Sequence, residues 1–385
     1  MNRNRRIAIV LSHNTPWHRA VLGGIPLHTP RTSRWDFLLT RPDNLGEEQL
    51  RAWGPDGVIG SFSLRRTVRL IRELGAPAVT ISENIRGIGL PAVLFDCVKA
   101  GRMAADHLSD AGLHHFAYVG WGGHGASPPR FAGFRERLAE VRRRPQFLEL
   151  RGFGGEQPLN DLIEWLPTLD RPVGVFAFND ITAATVIHAA QAISLRVPDD
   201  IAVLGVDNDE AICSFTTPPV SSVEARPLRI GRLAADLLDR LLAGEHPEES
   251  RILVPPRGVV ERASTDHLAI DDERIARAVR YIRARVGTRI NVAEVARATG
   301  IGRRVLELGM HRALGHSPLE EIQRARLKIA RHLLADTQVH LDEVAGRSGY
   351  RDLNHMARTF RDRLGTSPAR YRKRHGSARR MSIDP

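Results

Sequence analysis

Three stretches place carboxylates, amides or an aromatic directly after a short apolar run. Residues 7–11 lead into Ser12-His13-Asn14-Thr15-Pro16-Trp17, and residues 174–178 end in Phe178-Asn179-Asp180. Residues 201–206 lead into Asp207-Asn208-Asp209. Between them, Arg130 opens a helix-period stretch over residues 131–141. Carboxylates, amides and a guanidinium can hydrogen-bond the hydroxyls of a small polyol, and an indole can cover its C–H face. Each residue also has a plainer use. Asp180 and Asp209 can cap helices, Asp207 can brace a loop, and Trp17 can sit in a core.

A second chemistry is written twice in the last third of the chain. Val295-Ala296-Arg297-Ala298-Thr299-Gly300-Ile301 closes with Gly315-His316-Ser317-Pro318. Val344-Ala345-Gly346-Arg347-Ser348-Gly349-Tyr350 closes with Gly365-Thr366-Ser367-Pro368. Each copy has the plan of a short helix, a turn at Gly, a second amphipathic helix and a Gly-x-Ser-Pro stop. That is a helix-turn-helix, whose second helix enters the major groove of duplex DNA. In copy one that helix starts near Gly302, so Arg303, Arg304 and Glu307 lie on or near its first turn. In copy two it runs from about Asp352 to Leu364, with Asn354, His355 and Arg358 toward the groove. Arg pairs with guanine, Asn with adenine, and Glu accepts from cytosine. Leu306, Met310, Met356 and Phe360 should pack inward.

Charge divides along the same line. The net charge is +12, and residues 271–385 hold 25 Lys and Arg against 13 Asp and Glu. Residues 1–270 hold 31 against 31. A basic segment beside a neutral one points to a polyanion partner for the basic part alone.

The first 265 residues must position the polyol-type groups. Apolar runs recur at residues 37–40, 57–60, 78–81, 92–95, 116–120 and 251–254 as well as at those named above. Helix-period stretches lie between many of them, at 98–108, 131–141, 181–193 and 228–242. Continuous apolar strands with crossover helices form the doubly wound α/β pattern. Ligands there bind outside the carboxyl ends of the strands, where the polar groups lie. At 385 residues, two or three domains are expected. The reading is a sensor over 1–265, a short linker over 266–273 and an all-α DNA reader over 274–376. Helix-turn-helix units are expected at about 292–314 and 341–364, with a disordered tail over 377–385.

The first part resembles the LacI/GalR regulators, whose effector domains share the periplasmic-binding-protein fold. The resemblance rests on Val197-Pro198-Asp199-Asp200-Ile201 through Asp207-Asn208, on Pro218-Pro219-Val220-Ser221-Ser222-Val223, and on Val259-Val260-Glu261-Arg262-Ala263-Ser264-Thr265. That family's N-terminal helix-turn-helix is not expected here, because the first strand is expected to begin by Arg6. The last part resembles the AraC/XylS family instead, through Gly349-Tyr350, Phe360-Arg361, Gly365, Ser367-Pro368 and Tyr371-Arg372. Together these imply a two-lobed sugar sensor with three crossovers, joined to a DNA reader. The implied effector contacts are Arg130, Asn179 and Asp207, with His13, Asn14 and Trp17 from the first strand end. The implied effector is a small sugar, a xylose-like pentose. The implied partners are a double-stranded DNA operator, a second copy of the chain and, for an activator, RNA polymerase. Copy one departs from the family at Met310-His311, where Phe-Lys is usual.

Other classes have less to stand on. Two cysteines, Cys97 and Cys213, do not make a disulfide framework and fit a reducing, cytoplasmic compartment. No run approaches the length needed to cross a bilayer. Cys97 follows Asp96 at a strand-to-helix junction, where a helix N-terminus could lower a thiol pKa, but no nucleophile elbow surrounds it. No phosphate loop, metal-ligand spacing or cofactor motif is present. A nucleobase sensor would need aromatics on both faces of a flat ring, and only 5% of the residues are aromatic. A regulator whose sensor is vestigial or reads another protein is the remaining alternative, and Arg130, Asn179 and Asp207 together speak against it.

Overall fold

A computed structural model describes residues 3–12, 15–28, 34–41, 47–82, 84–85, 87–152, 156–245, 250–267, 270, 272–288, 290–337 and 339–375. The chain divides into two compact units, Met1–His267 and Leu268–Pro385. Each is described by itself.

The first unit holds two six-stranded sheets. Its chain begins β1 (Arg5–Val10), α1 (Pro16–Gly24), β2 (Trp35–Thr40), α2 (Glu47–Trp53), β3 (Gly57–Gly60), α3 (Arg65–Glu73), β4 (Ala78–Thr80) and β5 (Ala92–Phe95). It then passes through α4 (Cys97–Asp110) into the second lobe: β6 (His115–Trp121), α5 (Ser127–Glu140), β7 (Gln146–Leu150), α6 (Gln157–Trp165), β8 (Val173–Ala177), α7 (Asp180–Ala192), β9 (Ile201–Val206), α8 (Glu210–Phe215) and β10 (Ser221–Val223). α9 (Pro227–Leu242) leads back to β11 (Arg251–Val254), and β12 (Val259–Val260) returns to the second sheet. The strand orders are β11-β5-β4-β3-β1-β2 and β12-β10-β9-β8-β6-β7, so the chain crosses between lobes three times. Among the described residues all pairs are parallel except β10 with β12. The central strands β3, β8 and β9 are buried along their whole length, as sheets covered on both faces require.

Two helix pairs are packed backbone to backbone through glycine. A Cβ added at Gly101 of α4 would lie 2.1 Å from the Arg130 carbonyl oxygen, and one at Gly133 of α5 would lie 2.1 Å from that of Val98. Gly24 and Gly231 do the same for α1 and α9, each 2.0 Å from a carbonyl of the other helix. α5 starts at Ser127, three residues before Arg130, with Pro at its first turn. Arg130 therefore sits inside the helix rather than opening it.

Among its described residues the second unit is all helical: α10 (Glu273–Arg285), α11 (Val292–Thr299), α12 (Arg303–Leu314), α13 (Pro318–Asp336), α14 (Leu341–Arg347), α15 (Leu353–Leu364) and α16 (Pro368–His375). It has two small cores. Ile275, Val279, Leu306, Met310 and Ile322 form one. Ala330, Leu334, Val344, Met356 and Phe360 form the other. α13 contributes to both, so one helix spans the pair of repeats. The Gly-x-Ser-Pro signature is both a stop and a start. Gly315 and Gly365 are left-handed C-caps at φ 72° and 63°. Ser317 accepts from Glu320 N at 3.2 Å as an N-cap, and Pro318 takes the first helical position. Gly349 turns between α14 and α15 at φ 76°, and a Cβ there would meet the Val286 carbonyl oxygen at 2.0 Å.

Candidate functional site

A cleft of about 380 Å³ opens in the first unit, where the carboxyl ends of strands from both sheets converge. Trp17, Arg130, Asn179 and Asp207 all line it. His13 and Asn14 lie outside the described residues.

Arg130 is 5% exposed. Its guanidinium donates to the Phe178 carbonyl oxygen, approaches Cys97 Sγ at 3.7 Å and lies 4.9 Å from the centre of the Phe178 ring. Its Nε is buried without a hydrogen-bond partner among the described residues. Burial opposes the charge, but the Cys97, Tyr118 and Asp207 groups outweigh it, so the guanidinium stays charged. No ion pair within 4 Å joins Arg130 to Asp207 among the described residues.

Asp207 and Asn208 follow β9 with φ of 110° and 56°, conformations that L side chains rarely adopt. Surrounding bonds hold them there. Asp207 N donates to Val223 O at 3.0 Å, Asn208 N to Ser222 Oγ at 3.0 Å, and Arg262 Nη2 to Asn208 Oδ1 at 2.9 Å. Strain held in this way collects at ligand sites. Asp180 lies beneath, 2% exposed, accepting from Asp209 N at 2.8 Å and Ser222 Oγ at 2.5 Å. Gly205 makes room for it, since a Cβ there would lie 2.3 Å from Asp180 Oδ1. Burial, then the nearby Asp207 charge, raises the Asp180 carboxyl. Burial also raises Asp207, against the pull of Arg130.

The helix caps fall differently from the simplest expectation. Asn179, not Asp180, caps α7, and its Oδ1 accepts from Thr182 N and Thr182 Oγ1, both at 2.9 Å. That leaves its NH₂ as a donor for the cleft. Asp209 does cap α8. Trp17 is half-buried, packs against the large core and still lines the cleft. Cys97 is buried, and burial pushes its thiol up rather than down, against the pull of Arg130. It lacks the exposed, activated environment of a nucleophile.

Several lining residues were not singled out from the sequence. Ser61 follows β3, and its hydroxyl donates to Ser82 Oγ at 2.8 Å. Asn84 accepts from Gly125 N at 3.4 Å, a hydrogen bond between the two lobes. His18 and His124 are each lowered by burial to about 4, so both are neutral imidazoles at neutral pH. Ser61, Ser82 and His124 all follow strands. The strand-end rule, applied to β3, β4 and β6, would have found them.

In the second unit, Arg303, Arg304 and Glu307 are exposed on α12, and Asn354 and Arg358 on α15. His355 is half-buried, with its ring edge-on to Tyr350 at 5.3 Å. Glu307 is not a free acceptor, because Arg303 Nε donates to it at 2.9 Å.

Residues 105–265 match the family described as a periplasmic binding protein-like domain, and residues 295–374 match a helix-turn-helix domain. The chain thus carries a periplasmic binding protein-like segment followed by a helix-turn-helix segment. It is 29% identical over 381 residues to the xylose operon regulatory protein of Escherichia coli (strain K12), covering 96% of this chain and 97% of the relative. The protein of that name from Haemophilus influenzae is 26% identical, covering 95% and 98%. Among solved structures, that of the xylose-binding transcription activator xylR superposes with a TM-score of 0.71 at 27% identity, covering 97% of this chain and 99% of that one. A LacI family transcriptional regulator from Arthrobacter sp. FB24, in complex with lactose, superposes on 68% of this chain and 100% of its own, with a TM-score of 0.57 at 25% identity. The alignments with these relatives therefore run through both matched segments of this chain.

Proposed function

We propose that this chain is a sugar-gated transcription regulator that activates genes for the use of a xylose-like pentose. Residues 1–265 sense the sugar and residues 274–376 read the operator. The observation that carries this reading is the cleft. Arg130, Asn179 and Asp207 converge there with polar capacity left over, beneath apolar walls supplied by Trp17 and Phe178. Neutral hydroxyls would complete those groups. His18 and His124 add uncharged donors or acceptors, and Ser61 and Asn84 approach from the other lobe. A ligand held by both lobes favours whichever lobe arrangement lets it touch both. That differential affinity is the coupling available to switch DNA binding.

The protein acts as a homodimer in the cytoplasm and has no catalytic role in this reading. No described helix is long and apolar enough to cross a membrane. The test is calorimetric titration of the full-length chain with D-xylose and a panel of pentoses, hexoses and sugar phosphates, repeated on Asp207→Ala. One saturable neutral sugar, lost in the variant, is the expected result. Silence across the neutral sugars, or binding that survives in Asp207→Ala, overturns the sensor reading.

A further inference from the structure

The second helices of the two repeats differ in what they turn outward. α12 buries Leu306 and Met310, and α15 buries Met356 and Phe360 at matching places. The outward positions of α15 are polar or cationic: Asn354, Arg358 and Arg361 are exposed, and none of its large apolar residues is. α12 is different. Val305 is 48% exposed and Leu308 60%. They stand three residues apart, which places them on one face, with Arg304, His311 and Arg312 exposed around them. A single exposed leucine needs no explanation. Two in register, ringed by basic residues on a helix of this kind, have a matching surface. The thymine C5-methyl group is an apolar feature on the floor of the major groove, and the flanking Arg304 and Arg312 match the phosphates on either side. The other reader on this turn, Glu307, is already held by Arg303.

We infer that α12 reads its half of the operator by van der Waals contact between Val305 and Leu308 and thymine methyl groups, whereas α15 reads its half by hydrogen bonds. This rests on the DNA-reading function proposed above. Copy one therefore prefers thymine at positions where a hydrogen-bonding helix would select purines. Because these side chains are exposed, replacing them removes no core contact.

The experiment starts with selection of binding sites from random duplex DNA by the full-length chain, with D-xylose present and absent. Each thymine of the selected site is then replaced singly by deoxyuridine, which deletes only the methyl group. Loss of a buried methyl contact is expected to weaken binding about fourfold. The same replacements are measured on the Val305→Ala, Leu308→Ala double variant and on Asn354→Ala. Two or more thymines should matter to the wild type and to Asn354→Ala but not to the double variant. This cycle isolates the contact from any change in DNA shape. The inference is overturned if no thymine is sensitive, or if the double variant is as sensitive as the wild type. The latter result, with DNA affinity unchanged, would make this face a protein-docking surface. If no sequence is enriched at all, the DNA-reading proposal falls first, and the inference with it.

Discussion

The glycine contact between α4 and α5 makes a quantitative prediction. In Gly101→Ala, the new methyl would lie 2.1 Å from the Arg130 carbonyl oxygen and 2.6 Å from Phe134 N. Both are backbone atoms inside a helix, so no rotamer change relieves the clash. Ordinary contact requires the helices to separate by about 1.3 Å. Overpacking of this kind costs about 3 kcal/mol, the upper end of the usual range. Alanine in mid-helix returns about 1 kcal/mol relative to glycine, so the net loss is near 2 kcal/mol. For a unit of this size that lowers the melting temperature by roughly 4–8 °C. Gly133→Ala meets Val98 O at 2.1 Å and should cost about as much. The double variant should cost less than the sum, because one separation of the helices relieves both clashes. Gly258→Ala, which would meet nothing within 4 Å, is the control. The displaced carbonyl belongs to Arg130 itself, so sugar affinity should fall about tenfold or more, the worth of one charge-assisted hydrogen bond. Thermal melts and calorimetric titration read the two effects. If Gly101→Ala melts within about 1 °C of wild type and binds sugar normally, the glycine contact does not set the position of Arg130 and the reasoning fails.

Arg130→Met removes a buried charge with an unpartnered Nε. Cys97, Tyr118 and Asp207 favour that charge in the fold, so losing it leaves them uncompensated and the ligand-free protein should melt below the wild-type temperature, while sugar affinity falls about a hundredfold; sugar affinity unchanged in the variant would make Arg130 purely structural. In the reader, burial alone would raise the Glu321 carboxyl, but Arg283 at 2.9 Å and His316 at 2.8 Å hold it below its usual value. Its contribution is present above the ordinary glutamate range and is lost as pH falls through the lower, folded value. Glu321→Gln should therefore speed amide exchange along α13 at pH 7 by an amount equivalent to roughly 2–3 kcal/mol, with the difference fading in acid. Asp180 and Asp207 have the opposite sign: their carboxyls are raised in the fold, so stability is lost as pH rises through them. Sugar hydroxyls donating to Asp207 favour its charged form, so binding should release protons and tighten as pH rises toward about 7, where the free carboxyl titrates. Titration in buffers of different ionisation enthalpy measures this, and proton uptake on binding would contradict it.

The fold class was legible because strands of a parallel sheet read as continuous apolar runs. Gly57–Gly60, Ala92–Phe95, Ile201–Val206 and Arg251–Val254 stand where the pattern places them. Three strands were not legible. β10 is Ser221-Ser222-Val223, fully buried but polar. Its serines are satisfied by distant partners: Ser221 Oγ donates to Arg262 O at 3.0 Å, and Ser222 Oγ donates to Asp180. Period and hydropathy cannot report a strand whose burial depends on partners some 40 residues away. β7 is an edge strand, mostly exposed, and β12 is two residues long.

The site was legible where the strand-end rule was applied and hidden where tertiary contacts reassign a side chain. Asn179 and Asp180 are adjacent and both could cap, but only the fold shows that Asn179 takes the cap and sends Asp180 under Gly205. The departures from local rules converge on one place. Asp207 and Asn208 hold left-handed backbone without glycine, Asp180 is a buried carboxyl with a raised pKa, and Arg130 is a buried guanidinium with an unused nitrogen. The strained backbone, the buried carboxyl and the unsatisfied Nε each cost stability in the free protein, and a sequence selected for stability alone would lose them. Their meeting in one cleft is explained if a ligand offsets the cost, and a ligand that does so stabilises the bound state in proportion to RT ln(1 + [L]/Kd). The energy that makes the empty cleft unfavourable is then the energy available to the switch.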